Sequence, residues 1–291
     1  MSASPRISII GGGNIAEAII SGLVKGGQDP SLVSVADPYP PQLEKLSAKY
    51  GVQTFTNNTA CLAVFKDQGP EVLIIATKPQ IVSVVMAELS AQILEFKPVI
   101  VSIAAGITTS AIHSWICSGD SKAADAQVAI VRLMPNTPAL IGEGAAGLFR
   151  NTAVSDSQAA LAISVAAKIS KQYFWFASEG DIDSVTAISG SGPAYFFYVM
   201  EAMQAAAVKF GLGGAEATKL VAQTCLGAAK MVLENEDVSI ATLRERVTSP
   251  NGTTFAAIES MKADNVSDSI IKACQCAKDR SEEISAELFT K

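Results

Sequence analysis

The chain has 291 residues, a formal net charge of −6, 49% hydrophobic residues and 17% charged residues. This composition excludes a disordered chain and is typical of a packed globular protein with two domains or one large domain. Neither nucleic acid nor an anionic membrane attracts a net-negative surface. We therefore expect a small-molecule ligand, and no nucleic-acid or membrane partner.

The cysteines and the first residues indicate the compartment. The chain has 5 cysteines, an odd number that cannot all pair, and their spacing matches no zinc motif or secreted disulfide scaffold. No signal-peptide pattern follows Met1, and apolar runs are interrupted before the roughly 20 residues that span a bilayer. We expect a cytoplasmic protein that needs neither a metal nor a disulfide.

Short β-branched runs alternate with helical patterns through the first half of the chain. This alternation predicts a Rossmann-like, doubly wound parallel sheet with helices on both faces. The predicted strands are Ile7–Ile10, Val33–Ala36, Val72–Ala76, Val99–Ile103 and Val128–Leu133. An apolar helical stripe after the first strand completes a βαβ unit by Ala36.

The pattern becomes helical after Ser155. Ser155 and Gln158 have capping-box spacing ahead of an Ala-rich helix that reaches about Ser170, and a last short strand follows at Tyr173–Ala177. From Asp181 onward only helical segments are predicted. We therefore expect a dinucleotide-binding domain at 1–177 and an all-helical dimerisation and substrate domain at 178–291.

The predicted helices of the second half are apolar on more than one side, for example around Phe197 and Tyr198. A thin monomeric bundle does not bury that much apolar surface, which favours a homo-oligomer built from intertwined dimers. The alternative is that these helices are fully covered by the first domain of the same chain.

A glycine-rich turn follows the first strand. The segment is Gly11, Gly12, Gly13, Asn14, Ile15 and Ala16, or G-x-G-x-x-A between a strand and a helix. Gly11 permits the tight turn, Gly13 lets a pyrophosphate approach the backbone, and Ala16 allows close packing. The turn predicts a dinucleotide site, with an ordinary glycine-rich turn as the alternative.

Asp37 closes the second predicted strand. An acidic side chain there accepts hydrogen bonds from the adenosine ribose and repels a 2′-phosphate, which makes NADH plausible. The alternative is a solvent-facing turn residue before Pro38. Lys78, beyond the strand Val72–Ala76, lies where α/β folds bind ligands and could face a phosphate or carboxylate, or be an ordinary surface lysine.

The segment Thr248–Thr254 combines a Pro-Asn-Gly turn with the start of a helical pattern at Phe255. Backbone N–H groups of Gly252, Thr253 and Thr254, with the hydroxyls of Ser249 and Thr254, could hold a carboxylate at the positive end of that helix. The alternative is an ordinary N-cap turn.

Together these motifs resemble those of pyrroline-5-carboxylate reductases over nearly the whole chain. The resemblance is carried by the segments Gly11–Ala16, Ala76–Gln80, Met134–Pro138, Ser189–Tyr195 and Val247–Thr254. It implies hydride transfer from NADPH or NADH to the C=N bond of 1-pyrroline-5-carboxylate, which gives L-proline. The chain has Asn251 where the family usually has Gly, and Asn tolerates left-handed backbone better than other residues with a side chain.

The resemblance also assigns roles to individual residues. The cofactor would be lined, beyond the glycine turn and Asp37, by Asn58, Ala76, Thr77, Lys78, Pro79, Ile103, Ala104 and Ala105, the last two near the nicotinamide. The substrate would be bound by Ser249, Gly252, Thr253, Thr254 and, in a looser alignment, Asp237, with Thr254, Ser249 and Thr186 nearest the reaction. Thr254 would orient the ring, because a threonine hydroxyl is too weak an acid to supply a proton.

Three other functions compete with this one. A β-hydroxyacid dehydrogenase needs a lysine as the last residue of a G-x-G-x-x-x-K motif. In this chain the motif would begin at Gly190, and its last position is Phe196. A serine hydrolase would have to use His113, the 1 histidine of the chain, which lies on a predicted helix far from every motif. The third is a non-catalytic dinucleotide sensor, which would couple cofactor binding to partner binding through the helical half.

Overall fold

The computed structural model describes residues 4–118 and 126–289, and it contains one 8-stranded sheet in the order β3-β2-β1-β4-β5-β6-β7-β8. The strands are β1 (Ile7–Ile10), β2 (Val33–Ala36), β3 (Gln53–Phe55), β4 (Val72–Ile75), β5 (Val99–Ser102), β6 (Ile130–Met134), β7 (Gly144–Arg150) and β8 (Ser170–Trp175). All neighbouring strands are parallel except β6 and β7, which are antiparallel. The predicted doubly wound sheet is confirmed, with one reversed strand pair.

Helices follow most of the strands and fill the C-terminal half. They are α1 (Asn14–Lys25), α2 (Pro40–Tyr50), α3 (Asn58–Ala63), α4 (Pro79–Phe96), α5 (Thr109–Cys117), α6 (Asp156–Ile169), α7 (Asp181–Val185), α8 (Gly192–Lys209), α9 (Gly214–Leu233), α10 (Ile240–Arg246), α11 (Thr253–Ala263) and α12 (Val266–Phe289). Short 3₁₀ turns occur at Pro30–Leu32, Lys66–Gln68 and Thr137–Ile141, and a π-helix at Thr186–Gly190. Within the described residues, no helix is both long and apolar enough to cross a bilayer.

The sequence analysis did not predict two strands, β3 and β7, and it placed the start of the last strand, β8, too late. β3 has only 3 residues, and β7 reads Gly-Ala-Ala-Gly-Leu-Phe-Arg, a composition with low strand propensity. The last strand begins at Ser170 rather than Tyr173, because the capped helix α6 passes into it directly. The capping box of Ser155 and Gln158 is confirmed, with both of its hydrogen bonds present.

The chain divides into two compact units, which differ from the predicted domains. Unit 1 comprises 1–191 and 277–291, and unit 2 comprises 192–276. Unit 1 continues beyond residue 177 because α7 packs on β7, where a Cβ at Gly147 would lie 2.7 Å from a methyl of Val185. The functional division at residue 178 stays a prediction.

Alternate side chains of the strands enter two apolar layers, one on each face of the sheet. Ile7 and Ile9 of β1 pack with α1 and α6, whereas Ile10 packs with α3, α4 and α5 on the opposite face. Burial of both faces explains why a strand such as β4 is a continuous apolar run instead of an alternating one.

Helices α1 and α6 approach each other through a glycine. An ideal Cβ at Gly22 would lie 2.3 Å from the carbonyl oxygen of Lys168. Backbone atoms cannot move aside as a flexible side chain can. The small residue therefore sets how closely α1, the helix that begins at the glycine turn, packs against α6.

We expect Gly22→Ala to lower the free energy of unfolding by roughly 1–3 kcal/mol, because the added methyl group overpacks this contact. Denaturant unfolding monitored by circular dichroism measures the change. Gly180→Ala is the matched control, since Gly180 has ordinary helical backbone and its nearest neighbour is 3.8 Å away. Equal stability of the Gly22→Ala and wild-type proteins would contradict the close-contact interpretation.

Candidate active site

The glycine turn lies between β1 and α1, at the carboxyl edge of the sheet. Gly11 has a φ of +100°, and its Cβ would lie 2.6 Å from the carbonyl oxygen of Ala76. Any side chain at this position would therefore strain the backbone and clash with the chain leaving β4. β1 has β2 on one side and β4 on the other, which is the switch point where open α/β sheets bind ligands.

The start of α1 has open space beside it and backbone N–H groups without a side-chain acceptor. Gly13 is the N-cap and provides no side-chain acceptor for the first amides of the helix, and nothing lies within 4 Å of its ideal Cβ. The hydroxyl oxygen of Thr77 is buried and makes no hydrogen bond with any described residue. Open space, free helix amides and an unsatisfied hydroxyl fit the phosphates of a dinucleotide.

Asp37 faces the glycine turn. Its Oδ2 accepts a 2.7 Å hydrogen bond from the Gly12 amide, while its Oδ1 accepts one of 2.9 Å from the Tyr39 amide. The side chain of Gln42 donates to the Gly12 carbonyl at 2.6 Å. Asp37 therefore forms a local turn and also contacts the glycine turn, and its role in cofactor selection stays a prediction.

Glu17, in the first turn of α1, joins this helix to α2. Its carboxylate pairs with Lys45 at 2.6 Å and Lys49 at 3.0 Å, and Tyr50 also donates to it. Burial raises the pKa of this carboxyl, but the hydrogen bonds from Lys45, Lys49 and Tyr50 and the charge of Lys45 together lower it to about 2. Glu17 is thus a charged structural link behind the glycine turn.

The residues predicted beyond β4 lie at the same edge of the sheet. Ala76 donates its amide to the Ile10 carbonyl at 2.8 Å, which fixes the chain as it leaves β4. Lys78 is exposed and is the N-cap of α4, with Pro79 as the first helical residue. Like α1, this helix has no side-chain cap, but Pro79 has no N–H and the Ile81 amide donates to the Lys78 carbonyl at 3.1 Å.

The ends of β3 and β5 complete the edge. Asn58 is the first residue of α3, and its side chain donates to Glu88 at 2.8 Å. Ile103 donates its amide to the Ile75 carbonyl at 3.1 Å, and Ala104 and Ala105 follow. Unit 1 therefore brings every predicted cofactor residue to the carboxyl edge of its sheet.

In unit 2, the turn that begins at Thr248 leads into α11, which starts at Thr253 rather than at the predicted Phe255. Asn251 has a φ of +59°, so it occupies the left-handed conformation that the family usually gives to glycine. The prediction that the Gly252 amide is free for a ligand is wrong. This amide donates to the Ser249 carbonyl at 3.0 Å and closes the turn. Gly252 is the N-cap and has no side chain, so the amides of Thr253 and Thr254 receive no side-chain cap.

Thr186 begins the π-helix that precedes α8. Its hydroxyl is buried and donates to the Ile182 carbonyl at 2.8 Å, which leaves only its lone pairs for a ligand. The Ser191 amide reaches back to the Thr186 carbonyl at 2.8 Å. A π-turn of this kind frequently marks a functional site.

Asn136 supports the π-helix, a role that sequence reasoning missed. Its side-chain amide donates to the Ser189 carbonyl at 3.1 Å and accepts from the Ala145 amide at 3.0 Å. The available sequence signal was an asparagine between two prolines. If the side chain of such an asparagine becomes buried, its amide must find hydrogen-bond partners on several sides.

The other polar residues considered in the sequence analysis lie outside the turns described above. Asp237 is exposed in the turn before α10. His113 lies on α5 with its Nε2 3.0 Å from the Ala126 carbonyl oxygen, as expected of a structural residue. Burial raises the pKa of Cys61 to about 11, which makes it a poor nucleophile. No three His, Cys, Asp or Glu side chains group as a metal site within 4–118 and 126–289.

Comparison with known proteins agrees with this geometry. A family model described as pyrroline-5-carboxylate reductase dimerisation matches 179–284, and one described as NADP oxidoreductase, coenzyme F420-dependent, matches 6–106. A pyrroline-5-carboxylate reductase of Pseudomonas aeruginosa is 39% identical over 98% of this chain and 99% of its own. The chain belongs to the pyrroline-5-carboxylate reductase family.

Solved structures agree with this membership. A pyrroline-5-carboxylate reductase from Coxiella burnetii superposes with a TM-score of 0.86 at 39% identity, covering 97% of this chain and 99% of its own. The enzyme of Plasmodium falciparum, solved with NADP bound, shares the fold with a TM-score of 0.82 at 22% identity, over 97% of this chain and 98% of its own. The resemblance that the motifs carry is confirmed, and Phe196 still occupies the lysine position of the dehydrogenase rival.

The position of Asp37 generates a prediction about cofactor choice. We expect Asp37→Ser to raise the ratio of kcat/KM with NADPH to that with NADH by about tenfold or more, because a carboxylate repels the 2′-phosphate. Steady-state kinetics with both nucleotides gives the ratio.

Asp37→Asn is the matched control, because it keeps an oxygen acceptor for the Gly12 amide while removing the charge. It should move the ratio in the same direction as the serine variant. If neither variant changes the ratio, Asp37 is a turn residue and does not select the cofactor.

Proposed function

We propose that the protein reduces the C=N bond of 1-pyrroline-5-carboxylate to give L-proline, the last step of proline biosynthesis, with NADH or NADPH as hydride donor. The main support is the similarity to the Pseudomonas aeruginosa reductase, which covers 98% of this chain and both halves of the site. The geometry supplies one uncapped helix N-terminus at the glycine turn and another at the Pro-Asn-Gly turn.

Unit 1 holds the nucleotide in this proposal. Bound NAD(P)H supplies the hydride. The amides at the start of α1 and the unsatisfied hydroxyl of Thr77 bind its phosphates, and Asp37 accepts from the adenosine ribose. Ala104 and Ala105, beyond β5, line the nicotinamide end.

Unit 2 holds the substrate carboxylate. The free amides of Thr253 and Thr254 lie at the positive end of α11, an 11-residue helix, and the hydroxyls of Ser249 and Thr254 lie in the same turn. We place Asp237 near the ring nitrogen, where a carboxylate favours the protonated iminium.

Placement is the main catalytic task that we assign to the residues. A protonated cyclic imine is already an electrophile, so the barrier falls when its carbon is held about 3 to 3.5 Å from the hydride donor. Thr254 orients the ring by a hydrogen bond, and Thr186 and Ser249 complete the polar surface around it. We assign no proton transfer to Thr254, because its hydroxyl is too weak an acid.

A cofactor-oxidation assay tests the reaction. Racemic pyrroline-5-carboxylate is added to the protein with NADH and, separately, with NADPH, and loss of the reduced nicotinamide absorbance is followed. Proline formation coupled to cofactor oxidation is expected. Dinucleotide binding without turnover of this imine would contradict the proposal and favour a sensor.

We expect Thr254→Ala to reduce kcat/KM by about 10- to 100-fold, the effect of one hydrogen bond to a charged or polarised ligand. The α11 helix should remain, because the side chain is exposed and is not its N-cap. Circular dichroism and steady-state kinetics measure both properties.

Thr254→Ser is the matched control and should recover most of the activity, since it keeps the hydroxyl. Wild-type kinetics in the alanine variant would remove Thr254 from the site.

We also propose that the active form is a homo-oligomer built from intertwined dimers in the cytoplasm. Phe196, Phe197 and Tyr198 of α8 are 61%, 63% and 75% exposed in the single chain, which leaves this apolar surface uncovered. The match of a dimerisation family model to 179–284 supports the same surface. All 5 cysteines are free thiols, as a reducing compartment requires.

We expect Phe197→Glu to shift the protein toward monomer in size-exclusion chromatography with light scattering, because a buried unpaired carboxylate opposes association. Glu201→Gln, on the same helix, is the control and should leave the mass unchanged. An unaltered oligomer in the Phe197→Glu variant would place the interface elsewhere.

A further inference from the structure

A charged cluster lies inside unit 1, apart from every residue assigned above. Arg132 is in the middle of β6 and is only 2% exposed. Its Nη1 lies 3.4 Å from Oε1 of Glu179, and its Nη2 lies 3.8 Å from Oδ1 of Asp183. Burying a guanidinium is costly and seldom improves stability, so such a cluster suggests a need for defined geometry.

The cluster reaches the start of α5 through Glu179. Oε1 of Glu179 accepts a 2.6 Å hydrogen bond from the Thr109 amide, and Oε2 accepts one of 3.0 Å from the Thr109 hydroxyl. A carboxylate at this end of a helix also meets a favourable dipole. Arg132 holds Glu179, and Glu179 in turn holds the first residue of α5.

The C-terminal part of α12 reaches the same loop from another side. The hydroxyl of Ser285 donates to the Gly106 carbonyl, and that of Ser281 donates to Asp183 at 2.7 Å. Gly106 has a φ of +72°, and its Cβ would lie 2.8 Å from a methyl of Ile284. The loop therefore packs tightly against α12 at Gly106.

These contacts fix the loop that joins β5 to α5, at its middle and at its end. A doubly wound sheet binds one mononucleotide on each side of its switch point. The glycine turn and Asp37 lie on the β1 and β2 side, so the nicotinamide end lies on the β4 and β5 side. The fixed loop is the wall at that end.

We propose that Arg132, Glu179 and Ser285 are positioning residues that hold the loop 103–108 in place for the nicotinamide end of the cofactor. The inference rests on the proposed function only in taking a nicotinamide dinucleotide as the ligand. We assign these residues no contact with substrate or cofactor, and they act through the carbonyl of Gly106 and through the amide and hydroxyl of Thr109.

Two mild variants test this role. Arg132→Ala would leave the carboxylates of Glu179 and Asp183 without their cation and endanger folding, so it is not used. Ser285→Ala removes the bond to Gly106, and Thr109→Val removes one of the two bonds to Glu179. Each variant is compared with the wild-type oligomer for kcat, for KM of both substrates, and for the dissociation constants of NAD(P)H and ADP-ribose. If the enzyme prefers NADPH, the 2′-phosphate of ADP-ribose replaces ADP-ribose.

ADP-ribose separates positioning from general damage because it has the adenosine and both phosphates but no nicotinamide. We expect kcat to fall and the NAD(P)H dissociation constant to rise, each by about three- to tenfold, the effect of one neutral hydrogen bond. The ADP-ribose dissociation constant and the KM for the imine should stay within about twofold of wild type.

The controls are matched to each variant. Ser164→Ala removes a hydroxyl that donates to Leu161 within its own helix, so it should leave all constants unchanged. Thr109→Ser keeps the hydroxyl that Thr109→Val removes, so its kinetic and dissociation constants should equal those of the wild type.

Two outcomes would overturn the proposal, namely equal weakening of ADP-ribose and NAD(P)H, or wild-type constants in both variants. Failure of the proposed function would give a different result. A wild-type protein that does not turn over the imine would contradict the proposed substrate. The dissociation constants of NAD(P)H and of ADP-ribose would still test the role of the loop.

Discussion

The contact between Gly11 and the carbonyl of Ala76 is the constraint on which the rest of the site depends. A Cβ at Gly11 would lie 2.6 Å from that oxygen, so the turn exists only because the residue has no side chain. The close approach brings the start of α1 beside the end of β4. It thereby brings the free amides of α1 and the buried hydroxyl of Thr77 to one edge of the sheet.

The same physical device recurs in unit 2 without a sheet. At Gly13 and at Gly252 the N-cap has no side chain, so the first amides of α1 and α11 are left for an anion. One helix suits a pyrophosphate and the other suits a carboxylate, which are the anionic groups of the two proposed reactants. In the proposed function, a protein with a net charge of −6 binds anions by local backbone dipoles, because its overall charge opposes them.

Much of this organisation could be predicted from the sequence because local patterns determine it. β1 and β2 were bounded correctly, and the left-handed Asn251 was anticipated because the family usually has Gly at this position. β7 was missed because its Gly and Ala residues form a strand only through pairing with β6 and β8. The amide of Gly252 was assigned wrongly because turn closure depends on the exact backbone path. Arg132 gave a signal, a charge inside an apolar strand, but its partners Glu179 and Asp183 are distant in sequence and only the fold joins them.

In the proposed reaction, the dinucleotide held by the glycine turn reduces the imine ring directly. Reaction of pyrroline-5-carboxylate with NAD(P)H dideuterated at C4 of the nicotinamide tests it, with the product analysed by mass spectrometry and NMR. Direct transfer predicts proline with one deuterium, bound at the ring carbon that was the imine carbon. Unlabelled proline, or no proline while the protein binds the nucleotide, would contradict the account.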